Sequence, residues 1–186
     1  MYFSQNVATC GADVEKACGC VSLANAIVLF GMERIEPAVI IANAKNMSAF
    51  DSTGLAPESL RLLCVRMGLH ADLVQPCSAS ALAPGMLMYV RSIGLLNSQG
   101  GVTYENSVQD SHIVMVETIQ PDGVIVVINP DRRRCGKGFT TDKWGRMTIA
   151  PGQLADVWRT SRVNGAHTSC AVVATARSVI DKTEIR

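Results

Sequence analysis

A cysteine, a histidine and an asparagine or aspartate in this sequence have the types and spacing of a thiol site. Cys18 begins an apolar stretch that closes at Gly31, and the pattern predicts a buried helix with the thiol in its first turn. The N–H groups and the dipole at a helix start favour a thiolate, although cysteine is also among the residue types most often buried in cores. A nucleophilic thiol further requires a base and a group that orients the base.

The base and its orienting group are predicted at the open end of a β-hairpin. Residues 112–117 and 124–128 are short β-branched runs, and turn-forming residues 121–123 lie between them. A hairpin centred on this turn places His112 opposite about residue 132, within reach of both Asn129 and Asp131. Either side chain could accept the Nδ1–H of the imidazole and leave Nε2 to receive the thiol proton. The register does not choose between them.

The elements around these residues change character halfway along the chain. Helical spacing predicts three helices in the first seventy residues, at 18–31, 37–44 and 57–67. Proline occupies the first turn of the second and third helices, and glycine ends the first and third. Short apolar runs predict strands at 87–90, 112–117, 124–128 and 169–174, with a helix at 151–158 and a long loop at 94–111. Helices first and an antiparallel sheet afterwards indicate an α+β domain.

Composition excludes several classes of protein. The 186 residues are 48% hydrophobic, which fits one soluble domain. Their formal net charge of +1 provides no overall electrostatic attraction for nucleic acid. No apolar run approaches the roughly 20 residues of a membrane span. The first residues do not resemble a secretory signal, and the seven irregularly spaced cysteines fit free thiols in a reducing compartment. We therefore expect a cytoplasmic location.

Several segments of the chain match one known family in their order and spacing. They are Ala17-Cys-Gly-Cys-Val-Ser-Leu-Ala24, Ile41-Ala-Asn-Ala-Lys45, Ser52-Thr-Gly-Leu55, His70-Ala-Asp-Leu-Val74, Ser111-His-Ile-Val-Met-Val116 and Val127-Ile-Asn-Pro130. Together they resemble the bacteriocin-processing peptidases, the papain-like cysteine peptidase domains that cut after double-glycine leaders. The resemblance covers about residues 13–175. It implies a single papain-like domain over residues 1–186, in which a helical half carrying the nucleophile packs against an antiparallel sheet half, followed by a polar C-terminal tail.

The resemblance also implies roles for individual residues. Cys18 would be the nucleophile, His112 the general base and then acid, and Asn129 the orienting residue, where the family usually has aspartate and papain has asparagine. The family's oxyanion glutamine, six residues before the nucleophile, is replaced here by Ala12. An amide from Gln5 or Asn6 could supply that donor if the intervening segment loops back, because an oxyanion donor is defined by its position in space.

The sequence offers a second nucleophile and two other kinds of site. Cys10, which has Gln5 five residues before it, is a minor alternative to Cys18. Arg132, Arg133 and Arg134 directly follow the proposed orienting residue and form either a solvated loop or an anion site at the edge of the cleft. A zinc site built from Cys10, Cys18 and Cys20 with His70 or His167 is disfavoured, because no second Cys pair is present. We expect no metal and no cofactor.

Three functions are consistent with these features. The resemblance implies a cysteine peptidase that works through a thioester acyl-enzyme on a peptide substrate. A relative that passes the acyl group to an amine would be an amide-forming acyl or peptidyl transferase with a carrier-bound donor, which the arginine-rich loop would suit. An inactive, peptide-binding form of the fold is the third hypothesis, and Ala12 is the residue that favours it.

Overall fold

The chain was analysed as a computed structural model. The structure describes residues 1–51, 54–74, 78–91, 95–96, 102–103, 111–131, 141–142, 144–154, 160–163, 166–169 and 171–176. The arginine run at 132–134, Cys77, Cys135, Cys170 and the polar tail at 177–186 lie outside these ranges, so the expectations that concern them stay predictions.

The helices occupy the first part of the chain. They are α1 (Val7–Cys10), α2 (Cys18–Leu29), α3 (Pro37–Asn46) and α4 (Pro57–Arg66), and 3-10 turns cover Gly11–Lys16, Ala79–Ala81 and Pro151–Gln153. Pro37 and Pro57 each occupy the first helical turn, where a missing N–H costs no hydrogen bond. Gly31 and Gly68 follow two of the helices with φ of 67° and 89°, a conformation that favours glycine. The three predicted helices are therefore confirmed, with ends shifted by one or two residues.

The strands form one main sheet and three small pairs. They are β1 (Phe50–Asp51), β2 (Gly54–Leu55), β3 (Leu69–Val74), β4 (Leu87–Arg91), β5 (Leu95–Leu96), β6 (Val102–Thr103), β7 (Ser111–Ile119), β8 (Ile125–Ile128), β9 (Arg146–Ile149), β10 (Thr160–Val163), β11 (Ala166–Ser169) and β12 (Ala171–Ala176). The main sheet has the order β3-β12-β4-β7-β8-β9, and its described pairings are antiparallel. The α+β prediction is confirmed.

Three local expectations need correction. A fourth helix, α1, precedes the predicted three, and Asn6 and Thr9 cap it reciprocally. The segment at 151–158 begins as a 3-10 turn at Pro151–Gln153, and residues 155–159 lie outside the described ranges. The expected loop at 94–111 contains the antiparallel pair β5–β6, and its last residue begins β7.

The hairpin that carries the candidate base has one irregularity. Strands β7 and β8 pair as predicted across the turn at 120–124, where Gly123 has a φ of 82°. A register shift between Val116 and Thr118 leaves one extra residue on β7. Met115 therefore pairs with Ile128, and continuing this register places His112 opposite Asp131 rather than residue 132.

Apolar side chains fill both faces of the main sheet. One cluster joins the helices to the sheet and includes Leu23, Ile27, Tyr89, Met115 and Ile128. A second cluster lies on the other face and includes Met88, Val116, Val127, Met147 and Ile149. Each fully buried side chain of this size stabilises the fold by about 1.5–3 kcal/mol, so the position of α2 on the sheet is strongly determined. In the part of the chain that the structure describes, no helix combines the length and apolar character needed to cross a bilayer.

Candidate active site

Cys18 lies at the first position of α2, as the sequence predicts. The helix start has no side-chain cap among the described residues, and no acidic residue occupies its first turn. The peptide dipoles of a twelve-residue helix therefore favour negative charge at this end. The residue is buried, with 8% of its surface exposed, so the thiol is largely shielded from bulk solvent.

The first turns of α2 pack against the beginning of β7. The Ser22 hydroxyl donates a hydrogen bond of 2.9 Å to the carbonyl of Ile113. A Cβ added at Gly19 would lie 3.0 Å from the side-chain Cδ1 of Ile113, so the Ile113 side chain packs tightly against the helix backbone here. Because Ile113 directly follows His112, these contacts bring the helix end that carries Cys18 to the start of the strand that carries His112.

His112 and Asn129 are joined by a buried hydrogen bond. The distance from His112 Nε2 to Asn129 Oδ1 is 2.8 Å, and both residues are buried. Since an amide oxygen only accepts, the imidazole donates from Nε2. This corrects the expected tautomer, because Nε2 and not Nδ1 meets the Asn129 side chain.

The Asn129 side chain is fixed from several directions. Its Oδ1 also accepts a hydrogen bond of 3.1 Å from the backbone N–H of Asp131, and its own backbone N–H donates to the Gly145 carbonyl over 2.7 Å. Asp131 therefore contacts the candidate pair through its main chain, while Asn129 supplies the side-chain acceptor for His112. Gly145 has a φ of 84°, and a Cβ there would lie 2.8 Å from the Asn129 carbonyl oxygen.

The two oxyanion candidates occupy very different environments. Gln5 is buried, its backbone N–H donates to the Pro130 carbonyl over 2.8 Å, and its Nε2 donates to the carbonyl of Val14. Asn6 is exposed, and its side chain accepts from the Thr9 backbone as the cap of α1. Ala12 is exposed in the 3-10 turn Gly11–Lys16, which precedes Cys18. The segment before Cys18 does loop back, and it brings Gln5 next to Pro130, which follows Asn129.

The other described thiols lie in different surroundings. Burial is the main cause that raises the pKa of Cys20, and it raises the pKa of Cys64 to about 12. Both are therefore poor nucleophiles near neutral pH. Cys10 ends α1 in a buried position, with its Sγ 3.4 Å from the Thr9 hydroxyl.

In the described ranges, no group of three or more His, Cys, Asp or Glu side chains is arranged to hold an ion. His70 is exposed on β3, and the side chain of His167 lies outside the described set.

Sequence reasoning did not identify Ser22 and Gly145 as positioning residues. Ser22 was detectable as a hydroxyl inside an otherwise apolar helix, where it needs a partner. The sequence gives little indication that Gly145 is important, because glycine is common in turns. Its contact with Asn129 is visible only in the folded structure.

Comparison with solved structures identifies a similar fold. The chain is similar to the peptidase domain of Streptococcus ComA, described as a bi-functional ABC transporter involved in a quorum-sensing pathway, with a TM-score of 0.56 and 11% sequence identity. The match covers 87% of this chain and 93% of that domain. No family model matches the sequence, and no curated protein matches it significantly. The likeness supports the papain-like fold predicted from the sequence.

Proposed function

We propose that this protein is a cysteine peptidase of the bacteriocin-processing type, with Cys18 as nucleophile, His112 as general base and acid, and Asn129 as orienting residue. The observation that carries the proposal is the buried bond from His112 Nε2 to Asn129 Oδ1. It fixes the imidazole at the start of β7, beside the helix end that carries Cys18. A histidine oriented in this way by an amide is the arrangement that a thiol nucleophile requires.

The proposed reaction proceeds through a thioester. His112 Nδ1 takes the thiol proton, and the Cys18 sulfur attacks the carbonyl carbon of the scissile peptide bond. The carbon–nitrogen bond then breaks, the leaving amine takes the proton from the imidazole, and the acyl group remains on sulfur. Water, deprotonated by the same imidazole, attacks the thioester, and Cys18 leaves as thiol while the acid product departs.

Gln5 is the better of the two oxyanion candidates in this proposal. Its Nε2 carries two hydrogens, and only one is required for the Val14 carbonyl. The second hydrogen could stabilise the negative oxygen that develops as sulfur attacks, together with backbone N–H groups at the start of α2. Asn6 is less suited, because its side chain is exposed and caps α1.

The test is turnover of a peptide that ends in Gly-Gly-p-nitroanilide. We expect the wild-type protein to release p-nitroaniline, Cys18→Ala to release none, and Cys10→Ala to retain activity. Addition of glycinamide measures how much acyl group passes to an amine instead of water, which separates a transferase from a peptidase. No turnover with either acceptor, or loss in Cys10→Ala alone, would reject the assignment of Cys18 as the nucleophile of a peptidase.

A further inference from the structure

Residues 3–5 connect helix α2 to the chain just after β8. The side chain of Asn25, on α2, holds the main chain of Phe3 by two hydrogen bonds. Its Oδ1 accepts from the Phe3 N–H over 2.7 Å, and its Nδ2 donates to the Phe3 carbonyl over 3.2 Å. Two residues further along, the Gln5 N–H donates to the Pro130 carbonyl over 2.8 Å. The nucleophile helix is therefore linked through this segment to the end of the strand that carries the orienting residue.

The carbonyl that Gln5 binds belongs to a peptide unit that also contacts Asn129. The Pro130 carbonyl and the Asp131 N–H are the two polar groups of one planar peptide. The Asp131 N–H donates to Asn129 Oδ1 over 3.1 Å, and the same oxygen accepts from His112 Nε2 over 2.8 Å. Because the peptide is rigid, a bond that holds its carbonyl also sets the direction of its N–H. The orientation of the Asn129 oxygen therefore depends on the segment at Gln5.

Asn25 is a polar residue at a fully buried position. It is 0% exposed, as are the apolar residues Leu23 and Ile27 of the same helix. An amide is costly in such a place unless it is hydrogen-bonded, and an apolar residue of similar size would fill the volume without that cost. Both ends of the Asn25 amide bond the backbone of Phe3, so the residue fixes where Phe3 lies along the helix. The Phe3 ring is itself buried, with the Arg34 guanidinium 4.0 Å from its centre.

We propose that Asn25 is a positioning residue for the proposed reaction. Through residues 3–5 it holds the peptide that orients Asn129, and Asn129 in turn orients the imidazole of His112. The inference rests on the proposed function, because it assigns a role in that reaction to a residue seven positions after Cys18 on the same helix. Loss of this link changes the aim of the base and leaves the binding of substrate as it was.

The first test follows the His112 Nε2–H signal by ¹H–¹⁵N NMR, which reports the bond to Asn129 without any substrate. Asn25→Ala should shift this signal upfield, because the bond from Nε2 becomes longer and weaker. Ile27→Ala is the matched control, since it truncates a residue of the same helix that is equally buried. It should lower the stability of the fold and leave the position of the His112 signal unchanged.

The second test is kinetic and uses the Gly-Gly-p-nitroanilide substrate. Asn25→Ala should lower kcat by about tenfold, the equivalent of one ordinary hydrogen bond, and should leave KM unchanged. In the Asn129→Ala background the same substitution should cause no further loss, since a residue that acts through Asn129 then has nothing left to orient. Asn25→Asp has nearly the same volume and keeps the acceptor for the Phe3 N–H. It should lose less activity than Asn25→Ala, and it is the second variant if the alanine protein does not fold.

Three results would overturn the proposal: an unchanged His112 signal in the Asn25 variants, an equal shift of that signal in Ile27→Ala, or a loss of kcat that adds in full to the loss in Asn129→Ala. Absence of turnover in the wild-type protein would instead reject the proposed function. In that case the His112 signal would still decide whether Asn25 holds Asn129, so the two failures are distinguishable.

Discussion

The hydrogen bond between His112 and Asn129 defines what each residue can do. The amide oxygen of Asn129 accepts from Nε2 and cannot take the proton, so its proposed role is to fix the orientation of the ring. An aspartate at this position would keep the acceptor, whereas alanine would leave the buried ring without its orienting partner.

We therefore expect Asn129→Ala to lower kcat/KM on the Gly-Gly substrate by about 10²-fold, the low end of what general acid–base catalysis contributes. Asn129→Asp should stay within about tenfold of wild type, because the acceptor remains. Asn43→Ala, at a partly exposed position on α3, is the matched control and should leave kcat/KM unchanged. Equal activity of Asn129→Ala and Asn43→Ala would remove Asn129 from the mechanism.

Residue types were predictable from the sequence, but their detailed arrangement was not. Cys18 at a helix start and His112 on a hairpin follow from local patterns. Local patterns do not choose between Asn129 and Asp131. The register places Asp131 opposite His112, and Asn129 lies two residues away, so both side chains share the same face of the hairpin as His112. The ring nitrogen that meets Asn129 depends on side-chain rotamers, which no sequence pattern encodes.

At the scale of elements, two close approaches position the candidate residues. The contact of Gly19 and Ser22 with Ile113 sets α2 against β7. The turn before β9 sets Gly145 against Asn129, so this turn supports the candidate orienting residue even though it contributes no proposed catalytic group.

Gly145→Ala tests this support. Its positive φ makes any side chain costly, by about 1–2 kcal/mol, and the added Cβ would also push against the Asn129 carbonyl 2.8 Å away. Gly68→Ala is the control, because Gly68 has a similar φ of 89° but no atom within 4 Å of the added Cβ. Both variants should lose stability in urea unfolding, and only Gly145→Ala should also lose turnover, by about tenfold or more. An equal loss of turnover in the two would show that Gly145 acts through stability alone.

Helix boundaries were predictable where proline and glycine mark them, as at Pro37, Pro57 and Gly68. Helix α1 was missed because four residues carry no periodicity, and only the cap formed by Asn6 and Thr9 indicates it. The one-residue error in the hairpin register comes from the bulge on β7, which has no marker in the sequence.

For the whole molecule, the buried thiols of the core link stability to pH. Cys64 has a pKa of about 12 in the fold and an ordinary value of 9.0, because burial penalises the thiolate. Below pH 9 the thiol is protonated in both the folded and the unfolded state. Above pH 9 the unfolded chain loses the proton first, so the free energy of unfolding falls as pH rises towards 12.

We expect this fall to approach 1.36 kcal/mol per pH unit for Cys64 alone. Cys64→Ala removes the titration, so the difference in unfolding free energy between wild type and this variant should be constant from pH 7 to 8.5 and shrink between pH 9 and 10.5. Leu63→Ala, a buried neighbour without a titrating group, should keep a constant difference throughout. A constant difference for Cys64→Ala in urea unfolding would contradict the linkage.

The sheet order could not be derived from the sequence. Strand β12 lies between β3 and β4, so the last strand that the structure describes pairs with the first strand of the main sheet. Such pairing depends on contacts between distant segments, whereas sequence patterns report local structure. The resemblance to a papain-like domain supplied the architecture that periodicity alone did not.

The most direct test of the central claim, a reactive Cys18 activated by His112, is labelling with limiting iodoacetamide at neutral pH. The modified cysteine is mapped by mass spectrometry in the wild type, Cys18→Ala and His112→Ala, with His70→Ala as the control for an exposed histidine. We predict that Cys18 is modified first, that His112→Ala slows its modification, and that His70→Ala does not. Equal labelling of all the cysteines, or faster labelling of Cys10, would contradict the account.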